Sequence, residues 1–276
     1  MPERLRFHRG ALATGCSSAP LERRPPVESR IVSRADFDAV IFDLDGVVTR
    51  TASVHARAWK QTFDEFLARR ATGDGESHRP FDLETDYAAH VDGKPRYDGV
   101  RDFLAARGIE LPEGDPSDGP EMETVCGLGS RKNELYNELL EDVGVEVFED
   151  TVSQIRAWRG MGLKTAIVSS SKNCAAVLQI AGLTDLFDVR VDGVELARLG
   201  LKGKPAPDMF LKAAELLGVE PGRAVVFEDA VSGIQAGRAG RFGWVIGVDR
   251  VGARETLLEN GADNVVSDLR EVPTRS

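Results

Sequence analysis

Apolar and polar residues alternate along this chain in two regimes. Ala39, Val40, Ile41 and Phe42 form an unbroken apolar run closed by Asp43, the pattern of a short strand buried on both faces. Residues 52–70 follow, with Val54, Ala58, Phe63, Phe66 and Leu67 near helical spacing and charges between them. Residues 71–98 are polar and irregular, residues 100–106 read as a short helix stopped at Gly108, residues 110–120 as a Pro/Gly/acidic loop and residues 133–140 as another helix. From residue 150 the alternation becomes regular. Helices are expected at 152–159, 174–181, 207–217 and 231–239, and strands at 164–168, 187–191, 224–227, 243–248 and 264–266. Gly182 stops one helix and Pro207 opens another.

Strands alternating with helices imply right-handed crossovers and an α/β fold, a doubly wound, Rossmann-like parallel sheet. The region of about residues 55–145 interrupts that pattern and reads as a small α-helical cap inserted after the first strand. The expected organisation is therefore a core of residues 36–52 and 147–276 with a cap at 53–146. Residues 1–35 are rich in Arg, Pro and Ser, lack lysine and carry no secretory apolar core, so a disordered tail is expected there.

Composition narrows the function without choosing it. A net charge of −10 argues against a nucleic-acid surface, and it requires any phosphate site to gather cations locally against the global field. No apolar run reaches membrane-spanning length. Cys16, Cys126 and Cys174 have no metal-binding spacing and fit a reducing compartment, so a cytoplasmic monomer is the expectation.

The candidate chemistry sits at strand ends. Asp43 and Asp45 follow the first strand, and Gly46 lets the backbone turn there. Residues two apart on an extended chain point the same way, so the two carboxylates should stand side by side at the carboxyl edge of the sheet, where open α/β folds hold ligands. Ser169, Ser170, Ser171, Lys172 and Asn173 end a second strand, and Glu228 and Asp229 a third. Lys204 lies in a loop just before a helix. Four carboxylates in one pocket repel strongly in a low dielectric, and a hard divalent cation such as Mg²⁺ relieves this. A cation flanked by Lys204 and hydroxyls suits a phosphoryl group. Asp43 would then attack phosphorus and Asp45 would move the proton of the leaving and entering oxygens.

Asp43-Leu-Asp-Gly-Val, Ser169 with Lys172, Lys204-Pro-Ala-Pro-Asp and Glu228-Asp-Ala-x-x-Gly-Ile-Gln-Ala resemble, in order, the four motifs of the haloacid dehalogenase-like phosphotransferases. The resemblance implies a Rossmann-like core, Mg²⁺, a nucleophilic Asp43 and an acid/base Asp45 that also offers its backbone carbonyl to the metal. It implies further that Ser169 and Lys204 hold the phosphoryl group and that Glu228 and Asp229 complete the metal site. Within that superfamily the chain is similar to the β-phosphoglucomutase-like subgroup. Thr51 and His55 resemble its entry to the cap, Gly93-Lys-Pro-Arg96 its arginine for the far phosphate, Arg131-Lys132-Asn133 its second cap contact and Ser171-Lys172-Asn173 its phosphate-holding string. Arg50 stands where that subgroup has an aspartate, and Asp92 falls near the place of its lysine. The implied activity is isomerisation of β-glucose 1-phosphate to glucose 6-phosphate through a sugar bisphosphate. The alternatives are a phosphatase of small sugar phosphates and a non-catalytic binding module.

Overall fold

The computed structural model describes residues 30–70 and 79–275. Six parallel strands, β1 (Ala39–Asp43), β2 (Lys164–Val168), β3 (Val189–Val191), β4 (Ala224–Glu228), β5 (Trp244–Val248) and β6 (Asn264–Val266), lie in the order β3-β2-β1-β4-β5-β6. The order reverses at β1, between β2 and β4, which makes its carboxyl end the switch point where such sheets open a crevice.

Side-chain alternation along β1 decides what each face buries. Val40 and Phe42 join one cluster with Trp158 of α4 (Glu149–Gly160) and Val177 of α5 (Cys174–Ile180). Ala39 and Ile41 join the opposite cluster with Met209 and Phe210 of α7 (Asp208–Leu217), Ile234 of α8 (Val231–Ala239) and Leu257 of α9 (Arg254–Glu259). Both layers are dry, which is why β1 reads as a continuous apolar run. The first layer centres on an aromatic stack: Phe227 lies 4.8 Å from Phe42 and 5.1 Å from Trp158 between ring centroids.

The interrupting segment lies between β1 and α4. It comprises α1 (Ala52–Arg70), a π-helical turn (Tyr87–Val91), α2 (Arg96–Ala106) and α3 (Val125–Val143). Trp59, Phe63, Phe66, Phe81 and Phe103 give it its own aromatic core, with Phe63 and Phe103 at 4.0 Å. Val54, Ala58, Leu135, Tyr136 and Leu140 at its base pack instead into the core domain's first layer. The chain crosses between the two parts twice, and the crossings are paired: Arg50 N donates to Glu146 O at 2.9 Å and Phe148 N to Val48 O at 2.9 Å.

Several expectations need amending. The polar stretch 71–98 holds the π turn and the start of α2, and α3 begins at Val125, eight residues before the periodic part of its sequence. Thr124 supplies the reason, because its hydroxyl caps Gly127 N at 2.9 Å and lets two glycines join the first turns. A short α6 (Gly193–Leu199) and α9 lack enough apolar positions to show a period. The expected tail falls mainly on residues 1–29, outside the described residues, but its last part is packed. Val32 is fully buried, donates to Pro273 O at 2.7 Å and accepts from Arg275 N at 3.0 Å. No helix among the described residues is long and apolar enough to cross a membrane.

The stack predicts the distribution of stability. Phe227→Ala should cost about 3–5 kcal/mol, whereas Ile180→Ala on the outer face of α5 should stay within about 0.5 kcal/mol, both read from urea denaturation.

Candidate active site

β1 ends at Asp43, and the next residue leaves the sheet: Leu44 is buried in the core while its carbonyl accepts from Val48 N and Thr49 N, both at 2.9 Å. Gly46 completes this tight loop at φ +86°, and a Cβ there would sit 1.8 Å from Asp229 Oδ2. Only glycine fits, for conformation and for space.

That loop sends the two leading aspartates to different partners. The Asp45 charge still raises Asp43, and both line one cavity, but their carboxylates take different partners. The buried Asp43 carboxylate accepts a hydrogen bond from the Lys204 ammonium, which also donates to Glu228 Oε2 at 2.7 Å. The side chains of Asp43, Glu228 and Asp229 each offer an oxygen within 4.8 Å of the others. Burial raises Asp43 to about 6 against the pull of Lys204, and burial with the Asp43 charge raises Glu228 to about 8. Burial and the charges of Asp92 and Glu228 push Asp229 well above the carboxylate range. Three hard oxygen donors whose proton affinity burial and mutual repulsion have raised fit a divalent cation of the Mg²⁺ type.

Asp45 belongs to a second station, and its carboxylate is not in that cluster. It accepts from the Thr51 hydroxyl and from Ser169 Oγ at 3.4 Å, and His55 Nε2 lies 3.3 Å from it. Burial opposes its ionisation, but His55 and Thr51 outweigh burial and hold it at about 2. Behind His55, Lys132 Nζ meets Nδ1 at 2.5 Å and lies over the Trp59 and Tyr136 rings at 5.2 and 4.7 Å. Desolvation and the Arg96 charge bring that lysine down to about 7.

A third station bridges cap and core. Arg96 Nη2 donates to Asn133 Oδ1 at 2.7 Å, and Asn173 Nδ2 donates to the same oxygen at 2.9 Å. Ser171 Oγ accepts from Asn173 N at 3.1 Å, and the exposed Lys172 lies 5.6 Å over the Tyr97 ring. Neither Arg96 nor Lys172 makes an ion pair among the described residues, and burial lowers the Arg96 guanidinium from its ordinary value. All three stations line one cavity of about 900 Å³.

The structure thus gathers Asp43, Asp45, His55, Arg96, Lys132, Ser169, Ser171, Lys172, Asn173, Lys204, Glu228 and Asp229 around this cavity. Thr51 and Asn133 act one step behind it, through Asp45 and through Arg96 and Asn173. Arg131, beside Lys132, instead pairs with Glu65 and Glu134 on the cap surface. Sequence reasoning gave no role to Asp92 and Tyr87, which also line the cavity. The available signal was the acidic residue where the resembling subgroup has a lysine.

The profile of the haloacid dehalogenase-like hydrolases matches residues 37–241. The chain is 50% identical over 252 residues to a β-phosphoglucomutase of Mycobacterium bovis, covering 90% of this chain and 96% of that one. It is 33% identical over 236 residues to a β-phosphoglucomutase of Bacillus subtilis, covering 85% and 91%. Among solved structures, a β-phosphoglucomutase of Clostridium difficile superposes with a TM-score of 0.66 at 26% identity, covering 86% and 93%. The chain belongs to the haloacid dehalogenase-like hydrolases, and it is an enzyme, a phosphomutase or a phosphatase.

The raised carboxyls set a pH dependence. Asp43 and Glu228 bind protons more tightly folded than unfolded, their ordinary values being 3.8 and 4.5. Their contribution to stability is therefore complete at low pH and is lost as pH rises through about 6 and about 8. Cation-free protein should melt at lower temperature as pH rises across that window, Glu228→Gln should flatten the slope, and added Mg²⁺ should stabilise most at the alkaline end. Thermal melts with and without chelator check this.

Proposed function

We propose that this haloacid dehalogenase-like hydrolase is a Mg²⁺-dependent β-phosphoglucomutase, converting β-glucose 1-phosphate to glucose 6-phosphate through an aspartyl-phosphate and a sugar bisphosphate. One observation carries the reading. Two phosphate-binding stations face one cavity, Asp43 with Lys204 on the core side and the unpaired Arg96 with Lys172 and Asn173 on the other. A mutase must hold a phosphate at each end of a sugar that turns around between transfers, whereas a phosphatase needs only the first.

Each residue has a defined task in this reading. Asp43, at about 6, is ionised at neutral pH and attacks the phosphorus; the bond from phosphorus to the sugar oxygen breaks as the new bond forms. Asp45 takes the proton of the sugar hydroxyl that attacks the aspartyl-phosphate, and it returns that proton to the leaving oxygen when Asp43 attacks the other phosphorus of the bisphosphate. In the unphosphorylated enzyme Asp45 stands ionised, held so by His55 and Thr51. Lys204 and Ser169 hold the phosphoryl oxygens at the nucleophile. Arg96, positioned by Asn133, takes the far phosphate as a planar fork, with Lys172, Ser171 and Asn173 opposite. Asp43, Glu228 and Asp229 would hold the Mg²⁺, which when bound offsets the phosphoryl charge.

The cap shields the intermediate. Ser170 Oγ donates to Gly93 O at 2.7 Å and Ser232 Oγ to Asp92 O at 2.9 Å, joining cap to core across the cavity mouth. A closed mouth keeps water from the aspartyl-phosphate. The two described cysteines, Cys126 and Cys174, are free and buried, in keeping with a reducing, cytoplasmic site of action.

Phosphorus NMR with β-glucose 1-phosphate and a trace of the bisphosphate tests the reading. Glucose 6-phosphate should form, Asp43→Asn should abolish it, and Arg96→Ala should lower it by at least about a hundredfold while hydrolysis of a generic aryl phosphate persists. Inorganic phosphate as the sole product, with Arg96→Ala unimpaired, would establish the phosphatase instead.

A further inference from the structure

The cap brings a further acidic side chain to the cavity of the cation cluster, outside the group of Asp43, Glu228 and Asp229 oxygens that lie within 4.8 Å of one another. Asp92 closes the π turn Tyr87–Val91, and its backbone is fixed from the core side by the Ser232 hydroxyl at 2.9 Å. The next residue, Gly93, is held by the Ser170 hydroxyl at 2.7 Å. Gly93 adopts φ +67°, and a Cβ there would lie 2.4 Å from Ser232 Oγ and 3.1 Å from Ala230 Cβ. The cap loop therefore rests directly on the segment that follows Asp229.

The Asp92 side chain lines the same cavity as Asp43, Glu228 and Asp229, and Tyr87 lines it too. Among charged neighbours, Asp92 acts most strongly on Asp229, and Asp43 most strongly on Asp92. No lysine or arginine forms an ion pair with Asp92 among the described residues; Lys204 is already shared between Asp43 and Glu228. A loop that seats on the core thus carries a carboxylate into a crowded acidic pocket. In a site screened from water, like charges oppose that seating. A divalent cation reverses the sign of the effect.

We propose that Asp92 is a cap-borne carboxylate of the cation site, through which closing of the cap and binding of the divalent ion favour one another. The inference rests on the reading of Asp43, Glu228 and Asp229 as the cation site and needs nothing about the sugar. Because coupling is reciprocal, an ion that draws the loop down is itself held more tightly by the seated loop.

The experiment uses the full chain without substrate. Mg²⁺ and Mn²⁺ are titrated calorimetrically, and amide exchange of residues 87–96 is followed with and without Mg²⁺. In the unmutated protein Mg²⁺ should slow exchange across this loop. In Asp92→Asn exchange should already be slow without the ion and change little with it, and Mg²⁺ affinity should fall at least about fivefold. Asp92→Glu, which keeps the charge, should retain both responses. Ser232→Ala, which loosens the seat without touching charge, should weaken the Mg²⁺ response of the loop. Unmutated affinity in Asp92→Asn, with Mg²⁺ still slowing the loop, would overturn the role of Asp92 alone. Absence of any cation binding by the unmutated protein would reject the cation site itself, so the two failures are distinct.

Discussion

Everything at this site follows from like charges being forced together. The parallel sheet ends β1 and β4 side by side, and both ends carry carboxylates, so Asp43 and Glu228 meet where neither is well hydrated. Lys204, itself 2% exposed, bonds both and keeps them in place. One ammonium does not balance three carboxylates, and a hard cation there would make up the deficit and offset the overall charge of −10 toward an anion. The same low dielectric that makes the cluster costly makes it selective for charge.

The loop after Asp43 gives the two leading carboxylates different partners. Had β1 continued, Asp45 would face the lysine and the cluster. Instead the Gly46 turn hands it to Thr51, His55 and Ser169, where it is ionised by neighbours rather than by a cation. One short peptide thus carries two carboxylates whose environments push their proton affinities apart, the condition for a division of roles.

The cap is tied to the core by paired strands of chain at the hinge and by hydroxyls at the mouth. At the hinge the Phe148 ring lies between the guanidinium groups of Arg50 and Arg250, at 4.2 and 4.1 Å. The arginine that departs from the resembling subgroup therefore has a packing role here, as a cation over an aromatic face. At the mouth the contacts are single hydrogen bonds to backbone carbonyls, weaker ties than the paired chain at the other end.

Local pattern alone determined a great deal. The strands, the sheet class, the inserted segment, the acidic strand ends and Lys204 are all readable, because burial on two faces leaves apolar runs and ligand-bearing edges leave polar ones. The cap residues Lys132 and Asn133 were singled out only through motif resemblance, since no period marks them. Tertiary structure decided the rest. Asp45 turned from the cluster because of one glycine's dihedral angle, and α3 gained its first turns from a threonine cap and not from propensity. Asp92 acquired its place because a cap loop distant in sequence lands beside Asp229. Such a meeting is set by the packing of two separate cores, and no stretch of sequence records it.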